Sequence, residues 1–357
     1  MTESTDRTRR PVVDRWARGV VLRARLQRRA RVTAVTLGLA GVCFAVCCVS
    51  LSVGDVHIPV LDVVRTLVGA GDGGTDFIVN RLRLPRVLVA VLAGAAFGLS
   101  GAMFQTLVRN PLASPDIVGI TAGASAAAVI AILSFGLSGY AVSLAAFVGA
   151  LGVAIAIYLL AWRGGVTGYR MVLIGIALAA VMTSVVSFWL TRAEVYDAQD
   201  ALIWLTGSLN AKTWTTVRIL GLSASVLAPL AFLASRRLDV LQLGDETARA
   251  IGVAVERSRL GVLVVAVAVT AVATAAVGPV AFVAFTAGPI ARRLVGHGAI
   301  ALVPAAFVGA LTMTAADFLA QHAFASVTFP VGVVTAIVGA PYLLWLLAVT
   351  NRVGRAG

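Results

Sequence analysis

Residues 117–162 contain no charged side chain. A helix needs about 20 apolar residues to cross the hydrocarbon of a bilayer, and this stretch is more than twice that long. Two further uncharged stretches follow, at 260–291 and 318–351. Composition agrees with this pattern: 59% of the 357 residues are hydrophobic and 13% are charged. A soluble domain carries about 25% charged residues, and one soluble core does not bury this much apolar surface. A soluble enzyme, a disordered regulator and a disulfide scaffold are excluded at this step.

The apolar runs give ten helical spans, at about 33–53, 87–107, 115–134, 141–161, 171–190, 214–234, 259–277, 280–294, 300–319 and 331–349. A Gly/Ser turn near Ser134–Gly139 divides the longest run. The eighth span is short and fits a tilted or partly buried helix as well as a full crossing. The fold class expected is an all-α polytopic membrane protein with about ten transmembrane helices. Residues 1–31 form a basic N-terminal tail with ten arginines, and residues 32–357 form the transmembrane domain, with a cytoplasmic loop at 236–258. A secretory signal has a small-residue cleavage site after its apolar core. The run from Thr33 is instead long enough to span, so the tail is expected to stay in the cytoplasm.

The net charge is +13. Nucleic acid is not the expected partner, because the charges flank apolar runs as orientation-setting residues do. With ten spans and the tail inside, cytoplasmic segments hold 22 of the 29 basic residues and outer segments hold 7. Both termini are then cytoplasmic in the inner membrane. Cys43, Cys47 and Cys48 all fall in the first apolar run, with no His, Asp or Glu to complete a metal site. They read as small packing residues.

Several chemistries lack their residues. Lys212, in Ala211-Lys212-Thr213, is the only lysine, so no Walker A phosphate loop can be built. Ser125, in Gly123-Ala124-Ser125-Ala126-Ala127, lacks the closing glycine of a nucleophile elbow. No catalytic residue and no metal-ligand set is expected. Asp317 is the one candidate intramembrane carboxylate, either an ion ligand or a structural group bonded to helix backbone.

Three stretches carry more information. Arg83-Leu84-Pro85-Arg86 opens a run rich in small residues, including Gly94, Gly98 and Ser100, that ends in Gln105 and Arg109-Asn110-Pro111-Leu112-Ala113. Gly94 and Gly98 form a Gly-x-x-x-Gly face for close helix packing. Leu243 to Val253 is too polar to span, is bounded by Gly244 and Gly252, and reads as a short helix inside a loop. Loops of that size are usually functional. Gly278-Pro279 and Phe329-Pro330 interrupt the later apolar runs.

These residues resemble the permease subunits of binding-protein-dependent ABC importers for iron–siderophore complexes, haem and vitamin B12 (FecCD-type). The likeness covers residues 33–350 and rests on R-L-P-R at 83–86, Q-x-x-x-R-N-P-L-A at 105–113, G-D-E-T-A-R at 244–249 and P-V-G-V-V-T at 330–335. It implies the permease fold of the vitamin B12 importers, two permease chains around one pathway, two separate ATPase subunits, and an extracytoplasmic binding protein that delivers the cargo. ATP and Mg are then used by the partner ATPase, and this chain binds no cofactor of its own.

The resemblance also implies roles. Arg83 and Arg86 would receive acidic side chains of the binding protein, as arginine suits carboxylates. The family often has a further outer arginine where this chain has Gln321, which suggests one half of an unlike pair of permeases. Ala287-Gly288-Pro289-Ile290-Ala291-Arg292-Arg293 is closest to the subgroup handling catecholate siderophores such as enterobactin. Gly244, Asp245, Glu246, Thr247, Arg249 and Gly252 would form the helix that couples to the ATPase. Ser100, Gln105, Asn110, Pro111, Thr121, Ser125 and Asp317, with Gly94 and Gly98, are candidates either for the pathway lining or for helix packing. Anionic lipid is a partner open to the basic tail. A secondary carrier driven by an ion gradient is the reading from another class, with Asp317 as its support.

Overall fold

The computed structural model describes residues 10–54, 56–162, 168–296, 300–323 and 328–353. The first nine residues of the expected tail, and Arg163 and Arg355 of the charge count, lie outside them. Among the described residues all regular structure is helical. In chain order the helices are α1 (Arg10–Ser52), α2 (Val60–Leu67), α3 (Gly73–Val108), α4 (Ile120–Phe135), α5 (Tyr140–Ala161), α6 (Gly168–Leu190) and α7 (Val195–Leu205). They continue with α8 (Trp214–Leu241), α9 (Asp245–Ala250), α10 (Val255–Val277), α11 (Val283–Val295), α12 (Leu302–His322) and α13 (Val331–Val353).

Every expected span falls on a helix, but among the described residues seven helices have the length and hydropathy of a full crossing. These are α1 from Leu22, α3, α5, α6, α8, α10 and α12. Helix α4 has 16 residues, α11 has 13, and the apolar part of α13 runs Val331–Leu346. The short α11 begins after a left-handed Phe282 (φ 67°) and is buried from Val283 to Pro289. The expected tail is helical from Arg10 onward and continuous with the first span. Arginine and leucine are good helix formers, and the only proline, Pro11, sits in the first turn where it is tolerated. Short helices α2, α7 and α9 lie in segments too polar to span.

Helix α3 is the axis of the bundle. It packs against α8, α10, α11 and α12. From Phe97 to Leu107 every residue is buried, so this part of the helix has no solvent-facing side. A helix that is apolar all round belongs in an interior. After an opening α-helical turn, Gly73–Asp76, residues Phe77–Arg83 form wide π-type turns. Pro85 offers no N–H to the preceding turn, and loosened turns accommodate that loss.

Helix association in lipid gains little from the hydrophobic effect and rests on close packing. Gly94 and Gly98 provide it. A methyl built on Gly94 would strike the Gly309 carbonyl on α12, and one on Gly98 would strike the Ala305 carbonyl. Gly309 is equally tight against Gly94. Gly98→Ala is therefore expected to cost about 1–3 kcal/mol, read as a lower melting temperature in detergent. Gly152→Ala on α5, where a methyl meets nothing within 4 Å, is expected to hold or slightly raise it.

Candidate functional site

Polar groups gather in four places. The first is the end of the bundle where α8 turns into α10. Gly244 (φ 106°) and Gly252 (φ 83°) bound α9, in backbone conformations that side chains rarely adopt. Asp245 faces inward. One oxygen accepts from Arg109 Nη2 at 2.6 Å and the other from Arg259 Nη2 at 2.8 Å. Arg109 closes α3 in a left-handed conformation (φ 56°), and the same nitrogen donates to the Leu241 carbonyl. Partial burial pushes the Asp245 carboxyl up, but Arg259 and then Arg109 outweigh it and hold it below the ordinary range. A lowered value means the bridge is intact above the ordinary aspartate range and is lost as pH falls through the lowered value.

The R-N-P-L-A turn is thus fastened directly to the α9 loop. The Asn110 side chain accepts from the Leu112 N–H at 2.9 Å, which fixes the turn before Pro111. Glu246, Thr247, Arg249 and Gly252 remain exposed, flanked by exposed Leu243 and Ile251.

The second place is the opposite end. Arg86 grips Asp317 of α12 through Nε (3.0 Å) and Nη2 (2.8 Å), and its Nη1 donates to Asn210 at 2.9 Å. Gln321 donates to the same carboxylate at 2.9 Å. The Asp317 side chain is 4% exposed and that of Arg86 20%. Arg83 donates to the carbonyls of Leu51 (2.7 Å) and Val56 (2.6 Å), closing the exit of α1. All three residues expected at the docking surface share this end, and all three bond within the chain. Asp317, expected to be either an ion ligand or bonded to its own helix, is one half of an ion pair between helices.

The third is the interior. Gln105 donates to the Phe285 carbonyl at 2.8 Å and accepts from Arg292 at 2.8 Å. Gly288 leaves room for that amide, since a methyl there would strike Gln105 Oε1. Thr270 donates to Ser100 at 2.8 Å. Gln105 and Ser100 therefore tie α3 to α11 and α10 rather than line an opening.

The fourth is a cavity of about 410 Å³ where helix ends meet. Its walls come from the start of α4 (Thr121), the end of α7 (Leu205, Thr206), Pro279 and Val280 before α11, and Gly332 at the start of α13. Asp116 also lines it, and both its carboxylate oxygens are buried without a hydrogen-bond partner. Irregular backbone at membrane depth persists only where protein covers it or a watery cavity meets it. Of the candidates for the pathway, Thr121 lies on this cavity; Ser125, one turn on, is buried in α4. Asp116 was missed, although it is the last charge before the uncharged run from 117 to 162.

A family model described as the FecCD transport family matches residues 19–349. The ferric enterobactin transport system permease protein FepG of Escherichia coli (strain K12) is 40% identical over 299 residues, covering 84% of this chain and 91% of that protein. The "Probable siderophore transport system permease protein YfhA" of Bacillus subtilis (strain 168) is 39% identical over 326 residues, 89% of this chain and 95% of that one. The solved structure described as "An inward-facing conformation of a putative metal-chelate type ABC transporter" superposes with a TM-score of 0.77 at 26% identity, covering 88% of this chain and 99% of that chain.

Two outcomes follow from the geometry. Arg86→Met alone leaves a buried carboxylate unpaired and is expected to cost about 3–5 kcal/mol. The double variant with Asp317→Leu is expected to recover most of that loss, measured as melting temperature in detergent. Asp245→Asn is expected to speed amide hydrogen exchange across residues 244–253 and to leave exchange in α3 and α12 unchanged.

Proposed function

The chain belongs to the FecCD transport family, and we propose that its cargo is a ferric siderophore of the catecholate type, entering the cell across the inner membrane. The broader class is that of an ABC importer permease for iron chelates, the class of its relatives. The catecholate preference draws on the Gly288-Pro289-Ile290 stretch and on the relative that carries ferric enterobactin.

The observation that carries the reading is the exposed α9 loop pinned to the end of the central helix. A partner pushing on α9 moves Asp245, and with it Arg109 and the end of α3. In this assignment Glu246, Thr247 and Arg249 meet a groove of the ATPase, with Leu243 and Ile251 as apolar contacts. Asp245 acts behind them as the fastener. Two ATPase subunits supply the energy from ATP and Mg, and the bundle changes between packings of its helices.

The α9 end is then cytoplasmic, in keeping with the excess of arginine expected on that side. The end bearing Arg83 and Arg86 faces the binding protein. Gln321 turns inward onto Asp317, and this chain offers no arginine at that position, which favours a second, related permease as partner. The cavity beside Thr121 and Asp116 is assigned to the cargo pathway, since broken helices converging inside a bundle are where transporters hold substrate.

The test is uptake of labelled ferric enterobactin, with ferric hydroxamate and haem as comparisons, in cells lacking the chain. Wild type is expected to restore ferric enterobactin uptake. Gly244→Arg, which places a large side chain at φ 106°, is expected to insert normally and to restore less than a tenth of it. Uptake of every iron chelate unchanged by the deletion would remove the iron assignment.

A further inference from the structure

We propose that the chain carries a binding site for an anionic phospholipid headgroup between α1, α8 and α12, formed by Arg25, Arg28 and Arg29. These three arginines share one face of α1, at the i, i+3 and i+4 spacing. That face does not look away from the protein. It forms one wall of a cavity of about 700 Å³, whose other walls are Phe232, Ser235 and Asp239 of α8 and residues 300–304 leading into α12.

Three observations set the ligand chemistry. The first is charge: three guanidinium groups face one carboxylate, Asp239, across the cavity. The second is the start of α12. This 21-residue helix opens on the same cavity, and no side chain among the described residues caps the N–H groups of Leu302 and Val303; Pro304, next in the turn, has none to offer. Those donors and the positive end of the helix favour an anion. The third is the apolar part of the wall, where Val32, Phe232 and Leu302 offer a bed for a hydrocarbon chain. A free inorganic anion has no use for that bed, whereas a phospholipid uses both surfaces.

Depth agrees with this assignment. The apolar stretch of α1 starts at Thr33, and a helix rises 1.5 Å per residue. Arg25 to Arg29 therefore sit about 6–12 Å before the hydrocarbon begins. The headgroup layer of one leaflet is about 5–8 Å thick, so Arg29 stands in its outer part, and Arg25 lies beyond its edge and reaches back through a long flexible stem. Orientation of the chain needs only positive charge on that side. It does not need the charges collected on a cavity wall against two other helices. Arg31, two residues on, donates to the Leu294 carbonyl at the end of α11, so α1 is held at this level by protein contacts as well.

The test uses the full chain, purified in neutral detergent and stripped of lipid. Phosphatidylglycerol, phosphatidylcholine and inorganic phosphate are titrated separately, with bound lipid counted by native mass spectrometry and melting temperature followed in parallel. Phosphatidylglycerol is expected to bind and to raise the melting temperature, with phosphatidylcholine and phosphate giving neither effect. Arg25→Gln/Arg29→Gln is expected to bind phosphatidylglycerol about tenfold more weakly or worse. Arg23→Gln/Arg236→Gln removes the same charge from residues off the cavity wall and is expected to bind as wild type does. Equal weakening in both double variants would overturn the site in favour of diffuse surface charge. Equal binding of phosphatidylcholine by wild type would overturn the headgroup assignment. An equal effect of inorganic phosphate would overturn the lipid. The last two outcomes need no variant to fold.

Discussion

A polar group in hydrocarbon has no water to turn to, and the architecture follows from meeting that condition. An isolated charge or peptide group there costs several kcal/mol. The Arg86–Asp317 pair meets the condition with bonds from Asn210 and Gln321 around it. Gln105 meets it by bonding Phe285 and Arg292. Where chain breaks occur inside the bundle, as at Gly207, Gly278 and Gly332, they stack on one another. The Ser208 N–H bonds the Val277 carbonyl, and the Gly332 N–H bonds the Gly207 carbonyl. Asp116 departs from the condition with an unbonded carboxyl group beside a cavity, as do the buried hydroxyls of Ser50, Ser52, Thr274 and Tyr342.

The contacts at the α9 end give this condition a mechanical side. Asp245 joins Arg109 to Arg259, so the end of α3, the α9 loop and the start of α10 form one unit. Helix α3 in turn meets α12 through facing glycines with no methyl between them. A displacement at α9 has a short and stiff route into the centre of the bundle, since contacts this tight leave no slack.

Much of this was legible in the sequence. Uncharged runs located the helices, because hydropathy reports the solvent each segment must meet. The left-handed glycines around α9 and the close glycine face of α3 announced themselves by residue type. Pairings between distant residues did not. Arg86 and Asp317 are far apart in the chain, and nothing local to R-L-P-R signals that its second arginine points at another helix. The same holds for Asp245, whose neighbours Glu246 and Arg249 share its polarity but not its partners. Helix length was also illegible where tertiary packing overrides the bilayer. Helix α11 stops at 13 residues because it lies inside protein and has no thickness of lipid to cross.

The burial of α3 from Phe97 to Leu107 has a consequence for biogenesis. This helix leaves the ribosome second among the spans, yet the surfaces that enclose it belong to α8, α10, α11 and α12. Gly98 must wait about two hundred residues of synthesis for Gly309, roughly 10–40 s at ordinary elongation rates. During that interval α3 stands in lipid with Gln105 and its glycine face uncovered. Its insertion must therefore be tolerated before its packing is complete. That favours small residues and uncharged polar groups over ionised ones along its length, and it makes the nascent chain vulnerable until α12 arrives.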